Sequence, residues 1–145
     1  MPKTPKPILH AAVAVIERGG KILICQRRHD DSFGGLWEFP GGKRELRESW
    51  EACVQREVLE EVGVTLRRLK PYGWMRQAFA DGTVIFKVFH CGIEAGEPQP
   101  LDSQAVRWVN PSELPRYQFP PANKAMIARL AKRRASSGAR QHRVV

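Results

Sequence analysis

The sequence predicts an α/β sandwich of stacked layers. Three observations predict it. Two β-branched apolar runs lie near the N-terminus, one well-capped amphipathic helix follows them, and further strand-like runs precede a closing helix. Strands on both sides of a helix, with another helix at the end, indicate stacked layers. A chain of 145 residues is one domain by length, enough to bury most of a core.

The elements follow in order. MPKTPKP is a Pro/Lys leader, residues 1–7. Ile8 to Ile16 and Lys21 to Gln26 are apolar strands, and Glu17-Arg18-Gly19-Gly20 between them has the composition of a short hairpin loop. Arg27 to Gly35 is a polar, glycine-containing loop leading to a short strand at Leu36–Pro40 and a Gly41-Gly42 turn. Ser49 to Val62 contains no Gly or Pro and reads as a helix. Ser49 is its N-cap, Glu51 suits the positive end of the dipole, and Gly63 is the C′ residue. Its apolar flank is Val54, Val58, Leu59 and Val62. Thr65 to Trp74 is strand-prone but interrupted by Pro71, and Met75–Ala80 and Thr83–Gly92 flank an Asp81-Gly82 turn. A loop over Glu94–Ser103 precedes a last strand, Ala105–Val109. Pro111–Leu114 is a helical turn, and Pro120 or Pro121 opens a helix to about Arg134, with Met126, Ile127 and Leu130 on its apolar side.

Composition narrows the class. There is no membrane-length apolar run and no signal-peptide core, and Cys25, Cys53 and Cys91 form no CxxC pair. A reduced, cytoplasmic setting with the cysteines as core fillers is the expectation. The net charge is +9, but seven cations (Lys3, Lys6, Lys132, Arg133, Arg134, Arg140 and Arg143) sit in the terminal segments; without them the body is only +2. The folded unit is therefore expected over residues 8–131, as a monomer without membrane contact. The basic segment 132–145 reads as a disordered tail, with nucleic-acid contact as the alternative.

The helix carries an unusual load of acid for so basic a chain. At about 100° per residue, Glu57, Glu60 and Glu61 share one stripe beside the apolar flank. Three carboxylates that close repel one another by roughly 1 kcal/mol per pair at 4 Å even in water. Either they form a solvated acidic face, or Arg56 and a hard divalent cation offset the repulsion, since all-oxygen donor sets suit Mg²⁺ or Mn²⁺. The preceding glycines favour the cation, because they let backbone approach a ligand closely.

The spacing Gly42-x5-Glu48-x7-Arg56-Glu57-Val58-Leu59-Glu60-Glu61-Val62-Gly63-Val64 resembles the Nudix box at every fixed position. The flanking LWEFPGGK (Leu36–Lys43) and FPPAN (Phe119–Asn123) are similar to the MutT-like branch of that family. The resemblance spans roughly residues 8–131. One departure is Arg47, where many MutT-like boxes have Gly.

That resemblance implies a Nudix-type α/β/α sandwich, a mixed sheet between helices, and Mg²⁺-dependent hydrolysis of a nucleoside triphosphate, such as 8-oxo-dGTP, to monophosphate and pyrophosphate. It implies Glu57, Glu60 and Glu61 as metal ligands, with the Gly41 carbonyl. Arg56 would orient a glutamate and Glu48 would brace the loop, each otherwise an ordinary surface ion pair. Glu60 or Glu61 is a candidate base. Asp102 is either a further ligand or base, or a loop residue capping a turn. Lys43 and Arg27 or Arg28 are candidates to reach phosphate. Phe39 and Asn123 are candidates for base recognition, Asn because its amide both donates and accepts; the alternatives are a core aromatic and a helix cap. Two other readings stay open: a pyrimidine-directed pyrophosphatase acting on CTP or methylated dCTP, and a non-catalytic Nudix-like module that binds nucleic acid.

Overall fold

A computed structural model describes residues 5–132; the expectations for residues 1–4 and 133–145 lie outside the described residues. Strands β1 (Ile8–Arg18) and β2 (Lys21–Gln26) form the expected hairpin, closed by Gly19-Gly20 with φ of 58° and 78°. Two positive φ values are what a two-residue type I′ turn needs. The hairpin then opens. Only Glu17–Arg18 pair with Lys21–Ile22; further along, β1 pairs with β4 (Gly41–Lys43) and β2 pairs with β3 (Trp37–Glu38). The segment from Trp37 to Lys43 is thus threaded into the split between β1 and β2, and Ala14 N–H donates to Pro40 O at 2.8 Å.

On its other edge β1 runs parallel to β6 (Gly82–Ala95), from Ile8↔Thr83 to Ile16↔Cys91. β6 in turn pairs antiparallel with β5 (Thr65–Phe79), and β7 (Ala105–Val109) adds to β2. Among the described residues the result is one mixed seven-stranded sheet. A strand buried on both faces should be apolar without alternation, and Ala11 to Ile16 are all buried.

Alternation along β1 and β2 feeds two cores. Ala12, Ala14, Ile16, Leu23 and Cys25 pack against Val54, Val58 and Val62 of α1 (Trp50–Val62). Val13, Val15, Ile22 and Ile24 pack on the opposite face against Met126, Ile127 and Leu130 of α2, residues 124–132. This is the α/β/α sandwich, and the three cysteines fill it as free, buried side chains. No helix among the described residues is long and apolar enough to cross a membrane.

The caps of α1 are as expected. Ser49 Oγ accepts from Ala52 N–H at 3.0 Å, and Gly63 closes the helix at φ 76°. Four local expectations change. Leu59 is 49% exposed, and Cys53 takes the buried place on that flank. The Gly41-Gly42 turn is instead strand β4, where a Cβ on Gly41 would lie 2.1 Å from Ala12 O. β5 continues through Pro71 as one bulged strand, which its edge position tolerates. The β5–β6 turn is Ala80-Asp81, one residue earlier than expected; Gly82 is the first residue of β6, pressed against Pro7 O.

Candidate active site

The split between β1 and β2 opens into a cleft of about 540 Å³. Glu61, Gly41, Gly42, Lys43, Phe39 and Asp102 all line it, so α1, the β3–β4 segment and the loop before β7 meet there. A smaller lobe of about 90 Å³ shares Arg27, Glu38, Phe39 and Phe79 with it and ends at Gln77 and Asn123. The two are a chamber lined by acids and apolar sheet residues alike, and a more apolar annex, of one cleft.

Glu61 is the most perturbed carboxyl here. Its Oε2 accepts from Gly41 N–H at 3.1 Å. Burial, then the charge of Glu38, pushes its carboxyl up to about 8, with Glu57 and Asp102 adding to the rise. Such a group carries its proton near neutral pH until a cation replaces it. Glu38 is raised as well, by burial above all, although Arg27 opposes the shift with contacts of 2.9 and 3.3 Å.

Arg56 organises the outer side of the helix. Its Nε and Nη2 grip Glu48 at 2.7 and 2.9 Å, its Nη1 reaches Glu57 at 2.8 Å, and its Nη2 also donates to Lys43 O at 3.1 Å. These bonds join α1 to the end of β4. Arg56, together with Glu45 N–H, holds the Glu48 carboxyl down at about 2, and the Arg56 guanidinium is itself raised by the pairing. The paired network exceeds an isolated surface ion pair in geometry: it is bidentate and anchored to backbone.

The glutamate stripe is divided as it stands. Glu61 faces the chamber; Glu57 lies against Gly42, where a Cβ would sit 2.3 Å from Glu57 Oε2; Glu60 is exposed, 3.6 Å from Arg56. Among the described residues no group of three His, Cys, Asp or Glu side chains is converged for a metal ion. The donor chemistry nevertheless fits a hard divalent cation: Glu38, Glu61 and Asp102 offer oxygen in the chamber, one carboxyl is buried among others that raise its pKa, and the neighbouring Cys25 thiol is held protonated by burial. Glu57, 2.8 Å from Arg56, and Glu60, 3.6 Å from it, lie on the same helix as Glu61.

The other expected residues separate cleanly. Arg27 lines both parts of the cleft but is already engaged by Glu38 and by Ser32 O at 2.6 Å. Arg28 is exposed and lines neither part. Phe39 is 2% exposed and packs on Phe119 with ring centroids 5.3 Å apart, so it is both a core residue and a cleft wall. Asn123 is the buried polar residue of the annex; its Nδ2 donates to Pro120 O at 3.2 Å, which is not a cap bond to the helix N-terminus. Glu38 was without an assigned role in the sequence, although the Trp-Glu-Phe-Pro order placing one acid between two buried aromatics could have marked it. Asp31 and Ser103, on loops, and Phe79, at the end of β5, also line the cleft, and no local pattern would bring them together.

Known proteins place this arrangement. Residues 11–129 match the NUDIX domain family. The chain is 34% identical over 121 residues to the CTP pyrophosphohydrolase of Escherichia coli, covering 83% of this chain and 89% of that one. It is 33% identical over 123 residues to the Escherichia coli 8-oxo-dGTP diphosphatase, covering 84% and 95%. The crystal structure of a MutT NUDIX hydrolase from Burkholderia pseudomallei superposes with a TM-score of 0.77 at 26% identity, covering 85% of this chain and 98% of that one. The fold, the spacing of the helix glutamates and these likenesses agree, and the chain belongs to the NUDIX family as a MutT-like Nudix hydrolase.

Proposed function

We propose that the protein hydrolyses a nucleoside triphosphate to the monophosphate and pyrophosphate with Mg²⁺, and that its substrate is an oxidised guanine nucleotide such as 8-oxo-dGTP, removed from the nucleotide pool. The observation that carries this reading is the joining of two unlike spaces: a carboxylate-lined chamber around Glu61 and an apolar annex ending at Asn123. The first suits a cation-bridged phosphate chain, the second a nucleobase.

In this reading Glu57, Glu60 and Glu61 hold Mg²⁺ with the Gly41 carbonyl, and Mn²⁺ can substitute. When bound, the ion supplies Lewis-acid neutralisation of phosphate charge. The chain supplies the rest. Arg56 is a positioning residue that sets Glu57, and Glu48 anchors Arg56. Lys43 at the chamber wall neutralises a phosphate oxygen, and Arg27 does so where it leaves Glu38. Asp102 faces the same chamber as Glu61, so either it or a helix glutamate, Glu60 or Glu61, takes the proton of the attacking water. Phosphoryl chemistry is mostly positioning and electrostatics, and these residues provide both. Arg28, outside the cleft, is given no part.

Phe39 walls the annex and Asn123 reads the base edge, because a buried amide left unpaired by the wrong base penalises it. A second reading, hydrolysis of CTP or a methylated dCTP, is favoured by the likeness to the Escherichia coli CTP pyrophosphohydrolase, which is of the same order as that to the diphosphatase. Pyrophosphate release from a panel of 8-oxo-dGTP, dGTP, CTP and dCTP with Mg²⁺ separates the two. The expected result is the highest kcat/KM for 8-oxo-dGTP, with that preference lost in Asn123→Ala. Highest kcat/KM for a cytosine nucleotide would install the second reading, and preference for oxidised guanine surviving in Asn123→Ala would end the assignment of Asn123.

A further inference from the structure

The lower part of the sheet face under α1 carries a surface that the hydrolase reading does not use. Residues paired across a sheet share a face, and the registers His10↔Ile85, Arg76↔Ile85, Ala12↔Lys87 and Trp74↔Lys87 put His10, Arg76, Trp74 and Lys87 on the same side as Ala12. Their neighbours Leu9, Ala11, Val13, Val84 and Phe86 line the substrate cleft on the other side. The two surfaces are back to back through the sheet.

This second surface is an aromatic stack held among cations. His10 and Trp50 lie with ring centroids 5.1 Å apart, and Trp50 meets Trp74 edge to face at 5.5 Å. The Arg44 guanidinium is 4.7 Å above Trp50, and Lys87 Nζ is 5.6 Å from the Trp74 ring. Trp74 is nevertheless 59% exposed, and Arg76 beside it is exposed too. Arg44 donates to the backbone carbonyl of Glu48 and lies 2.9 Å from His10 Nδ1, while the carboxylates of Glu45 and Glu48 face Arg56 at 3.8 and 2.7 Å.

We propose that this face binds single-stranded nucleic acid, with a base stacked on Trp74 and phosphates on Arg76 and Lys87. Charge decides the occupant. A second copy docked face to face would bring like cations together. The chain's own segment 133–145, with four arginines and no acid, is mismatched in the same way. A polyanion bearing planar groups matches both features, since exposed aromatics flanked by cations form sequence-tolerant stacking platforms.

The test is fluorescence anisotropy of a labelled oligothymidylate, about fifteen nucleotides long to span an ordinary single-strand site, with the full chain over a range of salt. Trp74→Ala is expected to weaken binding about tenfold through lost stacking. The double variant Arg76→Gln, Lys87→Gln is expected to lower the salt slope by about 1.4, at ~0.7 per phosphate contact. Triphosphate hydrolysis should be unchanged in both variants, because the cleft opens on the opposite face. Absence of binding by the wild type, binding by both variants equal to wild type, or displacement of the strand more readily by a matched duplex than by a second single strand would each overturn the proposal.

Discussion

Replacing Glu61 by Gln isolates the electrostatic strain in the chamber. The substitution keeps an oxygen to accept from Gly41 N–H, 3.1 Å away in the wild type, and removes the titration. The sign follows from proton binding: between an unfolded value near 4.5 and a folded value of about 8, the folded state holds a proton that the unfolded state has released. The stability that Glu61 contributes is therefore highest below pH 4.5 and falls as pH rises, by up to ~1.4 kcal/mol per pH unit, until the folded group itself ionises near 8. The accumulated cost is on the order of 3 kcal/mol at neutral pH and on the order of 5 kcal/mol at full ionisation. Urea unfolding in EDTA at several pH values reads it directly. Relative to wild type, Glu61→Gln should gain stability steadily from pH 5 to 8, with little difference at pH 4. Parallel pH profiles for the two proteins would refute the reasoning, for then the carboxyl is not buried among the charges of Glu38, Glu57 and Asp102.

Other consequences rest on packing and on the Arg56 network. Gly41→Ala places a Cβ 2.1 Å from Ala12 O and 2.6 Å from Val13 Cα, both backbone; thermal unfolding followed by circular dichroism should show a loss of more than about 3 kcal/mol, the range of severe steric substitutions. Arg56→Ala frees Glu57 and leaves Glu48 without its bidentate partner. Pyrophosphate-release assays should show Mg²⁺ affinity or activity lower by about 10- to 100-fold, the usual cost of losing a group that orients ligands. The same variant returns the Glu48 carboxyl from about 2 toward its ordinary 4.5, so the stability Glu48 contributes in the wild type, present above that value and lost as pH falls toward 2, should disappear from the acid limb of the unfolding profile.

What was legible in the sequence was whatever local chemistry decides. Ser49 and Gly63 bound α1 because a side-chain acceptor and a left-handed residue are needed at its two ends, and both act within one turn. The apolar runs of β1 and β2 are read correctly for the same reason. Leu59 misleads because its position borders the buried flank, and Cys53, small enough to sit under Gly42 O at 3.4 Å, fills the space instead. Asp81-Gly82 looks like the turn because glycine usually supplies positive φ there, whereas Gly82 is small to admit Pro7 O. Within the cleft, the helix glutamates are visible by spacing alone, but their division is not, since Arg56 reaches Glu57 and Glu60 and, ahead of the helix, Glu48 at once. Glu38 is least visible. Its place depends on β1 and β2 parting so that Trp37–Lys43 can enter between them, a consequence of pairings separated by many residues.

The claim beneath the proposed chemistry is that Glu61 is a proton-carrying carboxyl whose proton a divalent cation displaces. Calorimetric titration of Mg²⁺ into the protein at pH 7, repeated in buffers of different ionisation enthalpy, counts that proton. With a folded value of about 8, close to one proton should be released per ion bound, and the release should vanish in Glu61→Gln. Binding heats independent of buffer, or the same release from both proteins, would contradict it.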